Sequence, residues 1–206
     1  SGSLEKNGSG VVTLSGTNTY SGGTTVNGGT LAGTTDSLQG DITNNGGVRF
    51  DQSSDGIYSG AISGSGSLEK SGSGTVTLSG TNTYSGGTTV NNGTLAGTTD
   101  SLQGAITNSG KVRFDQSTDG TYAGVVTGSG SLEKSGDGVV TLSGSNTYSG
   151  GTTVNGGTLA GTTDSLQGDI TNNGTVRLDQ SSDGTYSGGM GGSGSLVKNG
   201  SGAVTL

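Results

Sequence analysis

The stretch that decides the fold is GTNTYSGGTTVNGGTL, residues 16–31, in which small polar residues surround a few apolar ones. It returns as GTNTYSGGTTVNNGTL at 80–95 and as GSNTYSGGTTVNGGTL at 144–159. The copies are evenly spaced without an insertion, and the leucine at Leu4 recurs in register at Leu68. Self-similarity at a fixed period indicates a repeat architecture.

The repeats divide the chain evenly. We predict one continuous solenoid over residues 1–206, with repeats at 1–64, 65–128 and 129–192 and a partial repeat at 193–206. Because the chain begins and ends inside this pattern, we interpret it as a window from a longer array.

The composition does not suit an ordinary globular domain. Only 25% of the 206 residues are hydrophobic and 47 are glycine. That leaves too little apolar surface for a globular core, and a disordered linker has to be considered. Linkers, however, rarely keep Val, Ile, Leu and Tyr at fixed positions, so we favour a folded repeat.

Charge and residue usage exclude several classes of function. The formal net charge is −7, from eight basic and fifteen acidic residues, and the basic residues are dispersed. Nucleic acid is therefore not an expected partner, because phosphate binding needs a basic stripe. The chain has no cysteine and no histidine, and we expect no cofactor. No apolar run is long enough for membrane insertion of this segment.

The local pattern within one repeat is that of β-strands. Val48 and Phe50 share one face of a predicted strand, and Arg49 and Asp51 share the other. Across the copies position 11 reads Val, Thr, Val and Ala, whereas position 14 is always Leu. We predict that the varying face meets solvent and that the constant face forms the core.

Glycine and asparagine mark corners between the strands. Val26, Ile42 and Ile62 each precede a small polar turn, and the next such residue is Val90. This spacing predicts three coils of increasing length, 26–42, 42–62 and 62–90. Strands stacked through such corners predict an all-β parallel β-helix, with about three coils in each full repeat and roughly ten coils in the chain. A series of antiparallel hairpins is the rival fold.

The longest recurring unit supports this fold by resemblance. GSGVVTLSGTNTYSGGTTVNGGTL (8–31), GSGTVTLSGTNTYSGGTTVNNGTL (72–95) and GDGVVTLSGSNTYSGGTTVNGGTL (136–159) resemble the autotransporter-associated β-strand repeat. The resemblance implies a right-handed β-helical passenger domain of a type V secreted adhesin, displayed on the surface of a Gram-negative bacterium. From the stacked coils we expect a structural and adhesive stalk that supports secretion and cell adhesion, and from its polar, mildly acidic lateral faces we expect self-association and biofilm formation.

Recurrent charged residues raise the alternative of a β-helical enzyme that acts on polysaccharides. The recurring set is Arg49, Asp51 and Asp55, with Arg113, Asp115, Asp119, Arg177, Asp179 and Asp183 as its copies. An active site needs one pocket with tuned groups, whereas this set recurs three times with no inserted loop. We favour surface salt bridges, assign no catalytic residue and expect no enzyme.

Two further kinds of site, a calcium site and an ice-binding threonine surface, are not favoured. Calcium binding by Asp36, Asp51 and Asp55 lacks the motif of calcium-binding β-rolls, so no metal ligand is assigned. Threonine rows like those of ice-binding solenoids need the same spacing on every coil, which unequal coils would not provide.

One tyrosine recurs at the same bend in each full repeat. Tyr20, Tyr84 and Tyr148 either cap the core, which we favour, or form a platform for a glycan.

The sequons at Asn7, Asn92, Asn173 and Asn199 are interpreted as by-products of the asparagine-rich corners. Possible partners are another copy of the chain, end to end or side by side, and a host-surface or glycan ligand.

Overall fold

The computed structural model describes residues 2–206, and all regular elements of these residues are β-strands. The strands pair in parallel and stack as a β-solenoid of about ten turns. This confirms the predicted fold class over the rival hairpin series. The chain forms two compact units, Ser1–Ile106 and Thr107–Leu206.

The first unit has three parallel sheets. Their strand orders within the unit are β1-β3-β5-β8, β2-β4-β6-β9-β11 and β7-β10-β12, where the strands are β1 (Leu4–Lys6), β2 (Val11–Thr13), β3 (Thr24–Val26), β4 (Thr30–Gly33), β5 (Ile42–Asn44), β6 (Gly47–Asp51), β7 (Gly56–Tyr58), β8 (Ile62–Ser63), β9 (Ser67–Ser71), β10 (Thr75–Leu78), β11 (Thr88–Val90) and β12 (Thr94–Gly97). Strand β13 (Ile106–Asn108) crosses the boundary in the chain.

The second unit is built in the same way. Its sheets have the orders β14-β17-β20-β22-β25, β15-β18-β21-β23-β26, β16-β19 and β24-β27, where the strands are β14 (Lys111–Asp115), β15 (Gly120–Tyr122), β16 (Val126–Gly128), β17 (Ser131–Ser135), β18 (Val139–Leu142), β19 (Thr147–Tyr148), β20 (Thr152–Val154), β21 (Thr158–Gly161), β22 (Ile170–Asn172), β23 (Thr175–Asp179), β24 (Gly184–Thr185), β25 (Met190–Gly191), β26 (Ser195–Asn199) and β27 (Val204–Thr205).

The register shows that the coils have nearly equal lengths. In the first sheet Leu4 pairs with Thr24, Thr24 with Ile42 and Ile42 with Ile62, so each step to the next coil uses almost the same length of chain. The step from Thr30 to Gly47 in the second sheet is only slightly shorter. The prediction of three coils that lengthen from 26–42 to 62–90 is therefore wrong.

The error arose because apolar spacing shows which residues face inward but does not show which residue lies on the next coil. Val26, Ile42 and Ile62 do lie in one sheet and are fully buried. Val26, however, pairs with Asn44. After Ile62 the chain returns at Thr83, whose amide donates to the Ile62 carbonyl over 2.9 Å.

The equal coils give the repeat an unexpected geometry. Three steps through the first sheet lead from Leu4 only as far as Ile62, short of its repeat equivalent Leu68. A repeat therefore takes a little more than three coils and does not end on the sheet where it began. Strand β1 pairs with β3, whereas its sequence equivalent β9 pairs with β6 and β11 in a different sheet. Likewise β2 and its equivalent β10 belong to different sheets of the first unit.

Burial follows the predicted alternation. In β6, Val48 and Phe50 are buried, Arg49 is intermediate and Asp51 is exposed. In β10, Val76 and Leu78 are buried, and the threonines that alternate with them are less so. Each coil thus contributes a few fully buried aliphatic side chains, each stabilising by about 1.5–3 kcal/mol, and the ladder of main-chain hydrogen bonds joins the coils.

Candidate functional site: the polar contacts between coils

Buried asparagines connect three consecutive coils inside the solenoid. The Asn82 Oδ1 accepts a hydrogen bond from the Ile62 amide at 2.7 Å, and its Nδ2 donates to the Ser101 carbonyl at 2.7 Å. Asn146 repeats the arrangement in the second unit. These side chains satisfy main-chain groups that the coil geometry leaves without a ladder partner.

A second set of buried amides supports the corners. The Asn44 Nδ2 donates to the Ser67 carbonyl at 2.8 Å while its Oδ1 accepts from the Gly46 amide at 3.1 Å. Asn108 and Asn172 form the equivalent bonds in the second unit. Each asparagine therefore closes its own corner and holds the start of a strand on the next coil.

Lysine side chains are buried at another corner. Lys70 is 0% exposed, and its Nζ donates to the carbonyls of Ser71, Gly72 and Asn92 at 2.7, 2.8 and 3.2 Å. Burial lowers the pKa of Lys70, and nearby aspartate carboxylates partly oppose this. The ammonium group joins the corner that follows β9 to the corner of the next coil.

The sequence analysis did not single out these lysines and asparagines. A signal was present, because lysine recurs in every copy while the next residue is Asn in two copies and Ser in the other two; the lysines are Lys6, Lys70, Lys134 and Lys198. Lysine also shares the strand face of the core leucine in SLEK. Because charged residues are seldom fully buried, this alternation alone does not predict a lysine in the core.

The tyrosines predicted to cap the core do so in the inner coils. Tyr84 and Tyr148 are each 2% exposed, which excludes the exposed glycan platform at these two positions. The Tyr84 hydroxyl bonds with the Thr88 hydroxyl at 2.8 Å and accepts from the Gln103 amide. Tyr20, in the first coil, is only partly buried.

Buried tyrosines should make the fold sensitive to alkali. Burial raises the pKa of all four of these tyrosines, Tyr58, Tyr84, Tyr148 and Tyr186. The phenol of an unfolded chain ionises at about pH 10. The contribution of these tyrosines to the free energy of unfolding is therefore complete below that pH and is lost as the pH rises above it. We expect the urea midpoint to fall above about pH 10, with tyrosinate absorbance appearing together with unfolding. Absorbance that appears at an unchanged midpoint would contradict this prediction.

The charged set around Arg49 forms surface contacts of unequal quality. Arg177 binds Asp179 through its Nε at 2.9 Å and its Nη2 at 3.0 Å, which confirms the predicted salt bridge there. The Arg113 Nε lies 3.8 Å from Asp115.

In the described chain the buried Arg49 Nε has no hydrogen-bond partner, so the predicted pair with Asp51 is not formed. The two arginines also differ in their neighbours on the next coil, because Arg177 stands beside Val197 whereas Arg49 stands beside Glu69.

In the structure Asp55, one of the aspartates weighed as a calcium ligand, binds a main-chain amide. The Asp55 carboxylate accepts the Thr75 amide of the next coil at 2.7 Å, and Asp119 and Asp183 do the same in the second unit. Residues 2–206 bring no three acidic side chains together as a metal site. The same part of the chain has no helix that is long and apolar enough to cross a membrane.

Threonine rows exist but are short. Because the coils are nearly equal in length, unequal spacing does not prevent threonines from lining up on successive coils. In the first unit Thr25 pairs with Thr43, but the row starts with Glu5 and continues with Ser63. A row of two threonines does not make an extended regular surface.

The surface depressions of the second unit offer little catalytic chemistry. One has a volume of about 330 Å³ and is lined by residues 149–153, Asp169 and Thr171. Its lining is serine, glycine and threonine except for Asp169, whose Oδ1 accepts the Gly189 amide at 2.8 Å. A second acidic or basic group that might work with this carboxylate is absent from the lining.

Comparison with known families gives one result. A family model described as the passenger-associated-transport-repeat matches residues 4–32, 68–96 and 132–160. Each match runs from the strand that holds the buried lysine to the strand that follows the asparagine–glycine corner. No curated protein and no solved structure matches the chain.

Proposed function

The chain carries three passenger-associated-transport repeats, the repeat of autotransporter passengers, and from this premise we propose that it is a structural stalk segment displayed on the surface of a Gram-negative bacterium. In this role it supports secretion of the passenger and holds more distal parts away from the cell. The equal coils carry the proposal, since every coil offers the next one the same parallel edge.

The contacts between coils suit a chain that folds as it emerges from a pore. A newly exported coil meets a formed edge, to which it adds main-chain hydrogen bonds, a buried lysine or asparagine contact and a few aliphatic side chains. Stability of such an array is a sum over neighbouring coils. Each added coil therefore lowers the free energy without waiting for distant parts of the chain, and folding outside opposes return of the chain.

Adhesion, self-association and biofilm formation extend the proposal. The outward-facing strand residues of the inner coils are largely polar, as at the exposed Thr43, Thr89 and Thr107. Such faces can form weak contacts with an equivalent face. We propose side-by-side contact with a second copy, and a glycan or host surface as the other class of ligand.

Removal of one repeat from the whole protein tests both parts of the proposal. Deletion of residues 65–128 removes one full period and keeps the sequence at the junction, because Ser129 takes the place of Ser65. We expect less passenger on the cell surface, measured by surface labelling, and weaker cell aggregation. The matched control replaces 65–128 with a copy of 129–192 and should restore both. An unchanged surface yield after deletion would contradict the role in secretion, and unchanged aggregation would contradict self-association.

A further inference from the structure

Asparagine–glycine pairs form many of the corners, and most have their side chains tied to other residues. Hydrogen bonds join these amides to a neighbouring coil or a nearby carboxylate at Asn7, Asn27, Asn45, Asn155, Asn173 and Asn199. In each of these bonds the carboxamide is held by a partner other than the amide of the glycine that follows it.

Asn92 is arranged differently. Its Oδ1 accepts a hydrogen bond from the Gly93 amide at 2.7 Å, so the side chain lies against the nitrogen of its own following peptide. Asn92 is exposed and Gly93 lies between β11 and β12, outside the ladder. The other two repeats have glycine at this position, Gly28 and Gly156, and therefore no side chain there.

The same peptide also receives a buried positive charge. The Lys70 Nζ donates to the Asn92 carbonyl at 3.2 Å, and Lys70 is 0% exposed. A charged donor on a carbonyl oxygen in a site of low dielectric withdraws electron density from the adjoining N–H and stabilises its deprotonated form. In the other repeats the equivalent lysines contact the carbonyls of Gly28 and Gly156 in the same way.

From this geometry we propose that Asn92–Gly93 is a self-modification site, at which the chain converts Asn92 to aspartate or isoaspartate through a succinimide. The Gly93 nitrogen loses its proton to water and forms a bond to the Asn92 Cγ. The bond from Cγ to Nδ2 breaks, and ammonia leaves with one added proton. Water then adds to either ring carbonyl, the bond from that carbonyl carbon to the ring nitrogen breaks, and the nitrogen takes up a proton from the water.

The product changes one corner of the first unit. A carboxylate replaces a neutral amide on the residue whose main-chain carbonyl the Lys70 ammonium contacts, and the isoaspartate form adds a methylene to the main chain at a corner. Gly93 has a φ of +65°, and a Cβ there would lie 2.5 Å from the Gly74 carbonyl, so the corner has little room for a longer main chain. The modification therefore acts on a contact between coils, and it does not depend on the proposed function.

Peptide mapping by mass spectrometry tests the proposal on the purified chain held at neutral pH and 37 °C. We expect Asn92 to lose ammonia and to gain aspartate and isoaspartate at least about tenfold faster than the other asparagine–glycine pairs. In denaturant the difference should disappear, because the Lys70 contact and the side-chain conformation are both lost. Equal rates in the folded chain, or a preference that persists in denaturant, would overturn the proposal.

Two variants separate the roles of the side chain and the charge. Gly28→Asn creates an asparagine–glycine pair with Gly29, and Lys6 contacts the main-chain carbonyl of residue 28 at 2.9 Å. This new pair should acquire the fast reaction. Lys70→Met should slow the reaction at Asn92, with circular dichroism used to confirm that the strands are retained. A Gly28→Asn chain that stays unreactive would overturn the proposal even if Lys70→Met does not fold.

Discussion

Replacing Asn82 with leucine is expected to lower the free energy of unfolding by about 2–6 kcal/mol, since it leaves two buried main-chain groups without partners at about 1–3 kcal/mol each. These groups are the Ile62 amide and the Ser101 carbonyl, which lie on the coils before and after Asn82. Leucine has nearly the shape of asparagine, so lost packing contributes little. The measurement is urea unfolding followed by circular dichroism.

Asn18 is the matched control for this substitution. It occupies the same repeat position in the first coil, where its Nδ2 donates to the Ser37 carbonyl at 2.9 Å. Asn18→Leu removes that bond but leaves no preceding amide unpaired, so it should cost less than half as much as Asn82→Leu. Equal losses for the two variants would show that the contact across three coils has no special role.

Replacing Gly74 with alanine should also be severe. A Cβ at Gly74 would lie 2.2 Å from the Ser54 carbonyl oxygen and 2.5 Å from its carbon. Both are main-chain atoms of the preceding coil, so the clash is relieved only if the coils move apart. Overpacking of this kind costs about 1–3 kcal/mol or more, and the thermal unfolding midpoint should fall accordingly.

Gly10 provides the control because it has the same position in the repeat and similar flanking residues in the sequence, but no preceding coil of the described chain packs against it. A Cβ at Gly10 meets nothing within 4 Å. Gly10→Ala should therefore leave the thermal midpoint nearly unchanged. A similar fall for Gly10→Ala and Gly74→Ala would mean that alanine acts through the corner conformation and that contact between coils is not the cause.

Both predictions bear on the proposed stalk. If stability is a sum over neighbouring coils, a defect at Asn82 or Gly74 interrupts the array at one coil and leaves the coils on either side able to fold. In the whole protein, the same substitutions would then interrupt folding at a known coil during export. They would therefore show how far folding proceeds from one side of that coil.

Much of the candidate site was beyond sequence reasoning. The burial of Phe50 and Tyr84 was predictable, because alternation and aromatic burial are properties of the strand itself. The burial of Lys70 was not, since it depends on carbonyl oxygens of the next corner that come close only after stacking. The lack of a hydrogen-bond partner at the Arg49 Nε was not predictable either, because Arg177 has the same spacing from its aspartate and does bind it.

The sequence by itself determined the strands, the corners, the inward face and the need for stacking. Those follow from the alternation of side chains along a strand, from the backbone freedom of glycine and from the scarcity of apolar residues. Only the tertiary structure decided that one repeat occupies a little more than three coils and that Leu4 and Leu68 lie in different sheets. The physical reason is that the length of a coil depends on how much chain each corner uses, and this is set by hydrogen bonds between coils.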